Sequence, residues 1–116
     1  MQEHKNLVNR LVKPGHDIAD SLTGEEAHVL HMAVGIAGEA GELLDAVKKH
    51  VIYNKPLDVA NVLEELGDLE FYMEGLRQGV GLTREECLMH NIEKLTKRYG
   101  SSGYSDTAAI ARADKP

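Results

Sequence analysis

Glu39-Ala40-Gly41-Glu42 and Glu65-Leu66-Gly67-Asp68 each set two carboxylates at positions i and i+3. On a helix such residues are neighbours on one face, so each pair forms a two-acid jaw. Two antiparallel helices would bring the jaws face to face, and four carboxylates converging without a cation would repel one another strongly. The chemistry indicated is all-oxygen ligation of a hard divalent cation, Mg²⁺ or Mn²⁺. Di-iron helical bundles are the nearest competitor. They use Glu-x-x-His pairs, whereas the positions three after Glu39 and Glu65 are Glu42 and Asp68. Taken singly, each acid reads as a solvated helix charge, and only the joint pattern separates these four from the rest.

Such jaws need long helices to hold them. Thr23 followed by Glu26 has capping-box spacing, and Leu30, Val34, Ala37, Leu44 and Val47 keep a helical period, so one helix is expected from about 24 to about 50. At 1.5 Å per residue it spans roughly 40 Å. Tyr53-Asn54-Lys55-Pro56 is a break. Asp58 is a suitable N-cap for a second helix through Val62, Leu66, Leu69, Met73 and Leu76, ended by Gly79 and Gly81. Thr83 and Glu86 open a third, which carries Leu88, Ile92, Leu95 and Tyr99 to Gly100. Residues 2–12 read as a short leading helix stopped by Pro14-Gly15, Gly100–Gly103 as a flexible joint, and the tail to Pro116 as poor in core-forming residues. No stretch alternates with period two, so the fold class is all-α, a helical bundle.

Projection at 100° per residue gathers His31, Gly35, Glu39, Glu42 and Lys49 on one stripe of the first long helix, and Asn61, Glu65, Asp68 and Tyr72 on one stripe of the second. Both stripes border the apolar faces, which puts them at a helix interface. On the third helix Asn91, Lys94 and Arg98 form a polar, mainly cationic row suited to phosphate oxygens. Tyr72 reads equally as a base- or phosphate-contacting ring and as packing. His31, Asn61 and Asn91 are candidates for nucleotide contact, with hydrogen-bonded packing as their alternative. Gly35, Gly38 and Gly41 each cost a helix about 1 kcal/mol relative to alanine. Close approach of another backbone or of a ligand is the expected compensation.

The 116 residues suffice for one modest core, and apolar residues on more than one helix face point to oligomerisation. With 19 acidic against 13 basic side chains and a net charge of −6, a general nucleic-acid or membrane-surface binder is not expected. Cys87, the single cysteine, excludes an intrachain disulfide and suits a reducing cytoplasm. Neither a signal peptide nor a membrane span is expected, because charged residues, His and Gly interrupt the apolar stretches.

Glu39-x-x-Glu42, a gap of 22 residues, Glu65-x-x-Asp68, and then Asn91-x-x-Lys94-Leu95-x-x-Arg98-Tyr99 together resemble the MazG-like all-α nucleoside triphosphate pyrophosphohydrolases. The resemblance covers roughly residues 22 to 100, and the tail is similar to that of short phage- and mobile-element-type members. It implies hydrolysis of a (deoxy)nucleoside triphosphate to monophosphate and pyrophosphate with Mg²⁺, Mn²⁺ being the alternative ion. By the same resemblance, Glu39, Glu42, Glu65 and Asp68 would be the catalytic metal ligands, one of them also a base toward water, and Lys94 and Arg98 would contact phosphate. The expected organisation is a single helical domain over 1–100, completed in a homodimer or homotetramer, with 101–116 as a tail or as an arm over the site or a neighbouring subunit. A dUTPase and a phosphoribosyl-ATP pyrophosphohydrolase are alternatives within the same superfamily. A non-catalytic helical dimerisation or regulatory module is the rival outside it.

Overall fold

Reciprocal capping sets where the main helices begin. The Thr23 hydroxyl accepts from the Glu26 N–H at 3.1 Å while the Glu26 carboxylate accepts from the Thr23 N–H at 3.0 Å. Thr83 and Glu86 repeat the exchange, with both bonds at 3.1 Å. Each box satisfies two donors that a helix start would otherwise leave without partners. The Asp58 carboxylate accepts from the Asn61 N–H at 3.0 Å and starts the helix between them.

The computed structural model describes residues 1–100 and 103–115. Its helices are α1 (Gln2–Leu11), α2 (Gly15–Ser21), α3 (Gly24–Val51), α4 (Val59–Val80), α5 (Arg84–Tyr99) and α6 (Asp106–Ala111). Among the described residues there is no strand, so the all-α expectation holds. No helix among them is long and apolar enough to cross a membrane.

Two helices depart from the sequence reading. Pro14-Gly15 does stop α1, but it also launches α2, because the Pro14 carbonyl accepts from the Asp17 and Ile18 N–H groups. A proline placed just before a helix needs no donor of its own there. In the tail, the Ser105 hydroxyl caps α6 by accepting from the Ala108 N–H at 3.0 Å. The joint expected at Gly100–Gly103 includes Ser101 and Ser102, which lie outside the described residues.

Among the described residues α3 and α4 form the one extensive helix–helix interface, an antiparallel hairpin joined by residues 52–58. Gly81 closes α4 in the left-handed conformation, φ 74°. There the Leu82 N–H reaches the Arg77 carbonyl at 2.9 Å and the Gly81 N–H reaches the Gln78 carbonyl at 3.3 Å, the paired bonds of a Schellman end. Met32 and Ala46 are buried in the hairpin seam.

Glycines set how closely the two helices approach. A Cβ on Gly35 would strike the Tyr72 ring, one on Gly75 would strike the Met32 sulfur, and one on Gly79 would lie 2.8 Å from the His28 ring. The close approach expected for the first-helix glycines is therefore found at Gly35. Gly38 and Gly41 face open space. Gly75 and Gly79 do the same work from the opposite helix, and the His28 ring nitrogen closes a 2.8 Å bond to the Gly75 carbonyl across the seam.

α5 packs chiefly on α6. The radius of gyration is 20.0 Å, against about 13 Å for a compact domain of this length. Leu44, Leu63 and Phe71 are each about 70% exposed, so the apolar faces of the hairpin are left largely uncovered by the chain itself.

Candidate active site

The stripe pattern places Glu39 and Glu42 on α3 opposite Glu65 on α4, and one carboxylate oxygen from each lies within 4.8 Å of the others. That spread matches the coordination diameter of a hard divalent ion, about 4–5 Å. Burial is graded across the three: Glu65 is only 5% exposed, Glu39 is half-buried and Glu42 faces solvent. The Oε2 atoms of both Glu39 and Glu65 are buried without a hydrogen-bond partner. A buried carboxylate oxygen ordinarily has a donor, so two such orphans within one three-acid group mark a site suited to a proton or a cation.

The electrostatics agree. The Glu39 carboxyl beside it, then burial, then the negative charges of Glu39, Glu42 and Asp68, push the Glu65 carboxyl from 4.5 up to about 7. An ionised carboxylate crowded by others is disfavoured, so the Glu65 carboxyl keeps its proton to a higher pH than usual. The donor set, all carboxylate, with unsatisfied oxygens and an open side, fits a hard cation such as Mg²⁺ or Mn²⁺.

That open side is a cavity of about 450 Å³ lined by Gly38, Gly41, Glu42, Asp45, Lys49, Asn61 and Glu65. Gly38 and Gly41, which meet no neighbour within 4 Å, keep its wall low. Lys49 is held by Asp45 at 3.0 Å. Asp45 is a lining residue that the four-acid pattern missed. Its signal was present, since it continues the Glu39, Glu42 series by another three residues.

The other candidates separate by location. Asp68 is not within the three-acid group, although its charge reaches Glu65. Asn61 lines the cavity. Tyr72 packs edge-on against His31 at 6.2 Å and Phe71 at 5.2 Å between ring centroids, with its ring against Gly35. Asn91, Lys94 and Arg98 lie on α5, away from the α3–α4 seam. Arg98 is further engaged in a two-pronged ion pair with Asp114, Nε to Oδ1 at 2.7 Å and Nη2 to Oδ2 at 3.2 Å. Sixteen residues separate the two, and no sequence period links them.

The structure is thus an all-α protein whose antiparallel helical hairpin presents a half-buried carboxylate cluster to an open, polar cavity. The family model described as the MazG nucleotide pyrophosphohydrolase domain matches residues 16–101, and the chain belongs to that family. Its activity at family level is nucleotide pyrophosphohydrolysis. No curated protein and no solved structure matches the chain.

Proposed function

We propose that this chain is a Mg²⁺-dependent hydrolase that cleaves nucleoside triphosphates between the α- and β-phosphates, releasing monophosphate and pyrophosphate. The observation that carries the reading is the convergence of Glu39, Glu42 and Glu65 with two buried, unpartnered oxygens in a chain of this family. Glu39, Glu42 and Glu65 would hold the ion, with Asp68 adjoining them. Bound there, Mg²⁺ would offset charge on the phosphates and on the leaving pyrophosphate.

The chain's own contribution is positioning. α3 and α4 fix the carboxylates by close packing at Gly35 and Gly75, and Asn61 offers an amide to the cavity. The hairpin's exposed Leu44, Leu63 and Phe71 support a dimer or tetramer, in which a second copy covers these faces. A single cysteine suits a cytoplasmic setting.

A panel of ribo- and deoxynucleoside triphosphates, with pyrophosphate and orthophosphate release measured separately, tests this. Pyrophosphate and monophosphate are the expected primary products, and release stops when a chelator removes the metal. Orthophosphate and nucleoside diphosphate as primary products would overturn the reading.

A further inference from the structure

α1 is a two-sided helix that its own chain leaves uncovered. Leu7, Val8 and Leu11 fall on one stripe, and Gln2 and Asn6, whose side chains bond at 3.0 Å, fall on the opposite one. Every residue over 1–26 is exposed, Leu11 by 70%, and among the described residues α1 packs extensively on no other helix. Its 10 residues are too few to hold a helix in water unaided, so the stripe needs a partner surface. The family match begins at residue 16, so α1 stands outside it.

α3 offers a surface of fitting size and opposite charge. Over its first turns, Val29, Leu30 and Ala33 line an open groove of about 460 Å³ together with Glu25 and Glu26. Residues 25 to 33 run about 12 Å along the helix axis, and the stripe from residue 7 to residue 11 needs about 6 Å. Lys5 and Arg10 flank that stripe on either side, and residues 1–13 carry Lys5, Arg10 and Lys13 against Glu3 alone. In α3 and α4 the balance is reversed, with acids far outnumbering Lys48, Lys49 and Arg77. Apolar stripe meets apolar groove, and cationic flanks meet an acidic face.

The joints decide which copy supplies the helix. Only Val12, Lys13 and Pro14 connect α1 to α2. Pro14 fixes its own φ, restrains Lys13 to extended backbone, and accepts from the Asp17 and Ile18 N–H groups. Leu22 and Thr23 alone connect α2 to α3, with the Leu22 N–H on the Ala19 carbonyl at 3.3 Å and Thr23 held in its capping box. Joints this short and this tied leave α1 no slack to turn back onto its own α3. We propose that α1 is an arm that docks, through Leu7, Val8 and Leu11, in the groove at residues 25–33 of a second copy of this chain, the exchange being reciprocal about a two-fold axis. The exchange goes beyond the hydrolase reading and does not rest on it.

Sedimentation equilibrium of the full chain, with and without Leu7→Ser and Leu11→Ser together, is the first arm of the test. Both positions are exposed in the single chain, so helicity should hold. The pair raises the self-dissociation constant at least about tenfold. Ile110→Ser, a comparable loss at a position of α6 that is 82% exposed, leaves it within about twofold. Disulfide trapping is the second arm. In a Cys87→Ser background, Leu11→Cys and Ala33→Cys placed in one chain link two chains on oxidation, and co-expressed chains carrying one substitution each give the mixed pair. A disulfide closed within a single chain would seat α1 in its own groove and overturn the proposal. Binding of wild type to anionic phospholipid vesicles through Leu7 and Leu11, with no linked chains, would give the stripe to a lipid surface and overturn it too. So would a wild-type chain that stays monomeric, or a self-dissociation constant indifferent to Leu7 and Leu11. Pyrophosphate release is read separately by the product panel, so either proposal can fail without the other.

Discussion

The α3–α4 hairpin and the α5–α6 unit are assembled on opposite principles. The hairpin is held by shape: glycines let Tyr72 and Met32 sink into the facing helix, and the seam so formed leaves two carboxylate oxygens without partners. The α5–α6 unit is held by charge, through one buried, two-pronged ion pair and a pair of tyrosine rings, and it gathers lysines rather than acids. A rigid, packed scaffold can carry an electrostatic conflict that a loosely attached unit cannot, because its other contacts over-determine the geometry. The acids therefore sit where packing is closest, and the cations sit where attachment is lightest.

Removing a ligand charge from the hairpin has the largest expected effect. Glu42→Gln keeps the side chain's size and leaves a solvent-facing position, so helicity and melting temperature should stay near wild type. Turnover should fall at least about a hundredfold if Glu42 is a ligand. Near-normal pyrophosphate release by this variant at saturating Mg²⁺ would remove Glu42 from the site.

The packing claim is checked by a pair of alanines one helical turn apart. At Gly35 a methyl group would strike the Tyr72 ring, so overpacking of about 1–3 kcal/mol outweighs the helix-propensity gain of about 1 kcal/mol. At Gly38 nothing lies within 4 Å, and only the gain remains. Thermal melts should show Gly35→Ala less stable than wild type and Gly38→Ala equal or more stable. If both move the same way, the glycines of α3 do not set the hairpin's spacing.

How much of this was legible in the sequence follows the same division. Capping boxes and periodic apolar residues act locally, so Thr23, Asp58 and Thr83 marked the starts of α3, α4 and α5, and Gly81 the end of α4. Helical spacing also put Glu39, Glu42 and Glu65 on facing stripes. Spacing alone could not tell that Asp68 stands outside the three-acid group, since that depends on the rotation of α4 against α3. Gly75 passed unnoticed, and Gly79 was read as a helix end although it lies inside α4, because what both accommodate is on the other helix. Asp114 was illegible for the same reason: its partner Arg98 is sixteen residues away in sequence, on α5, and a long-range ion pair leaves no period to read. The helix α2 was missed on a local signal, since a proline that ends one helix can equally precede the next.

The smallest expected effect distinguishes the two regions most directly, because they should respond to pH with opposite sign. In the metal-free hairpin Glu65 is raised from 4.5 to about 7, so between those values the folded state holds a proton that the unfolded state has lost. Stability then falls as pH rises through that window, and the slope should vanish once Mg²⁺ occupies the acids. In the α5–α6 unit Arg98 holds Asp114 below its ordinary 3.8, so its contribution is complete above that value and is lost as pH falls through the lowered one. Amide hydrogen exchange in chelator, corrected for intrinsic rates, reads the regions separately. Protection in α3–α4 should weaken from pH 5 to pH 7, while that of α5–α6 stays flat over the same range and drops only on strong acidification. Parallel pH profiles in the two regions would mean that the acids of the hairpin are not in conflict when the metal is absent, and the contrast between a charge-strained scaffold and a charge-held unit would fall with them.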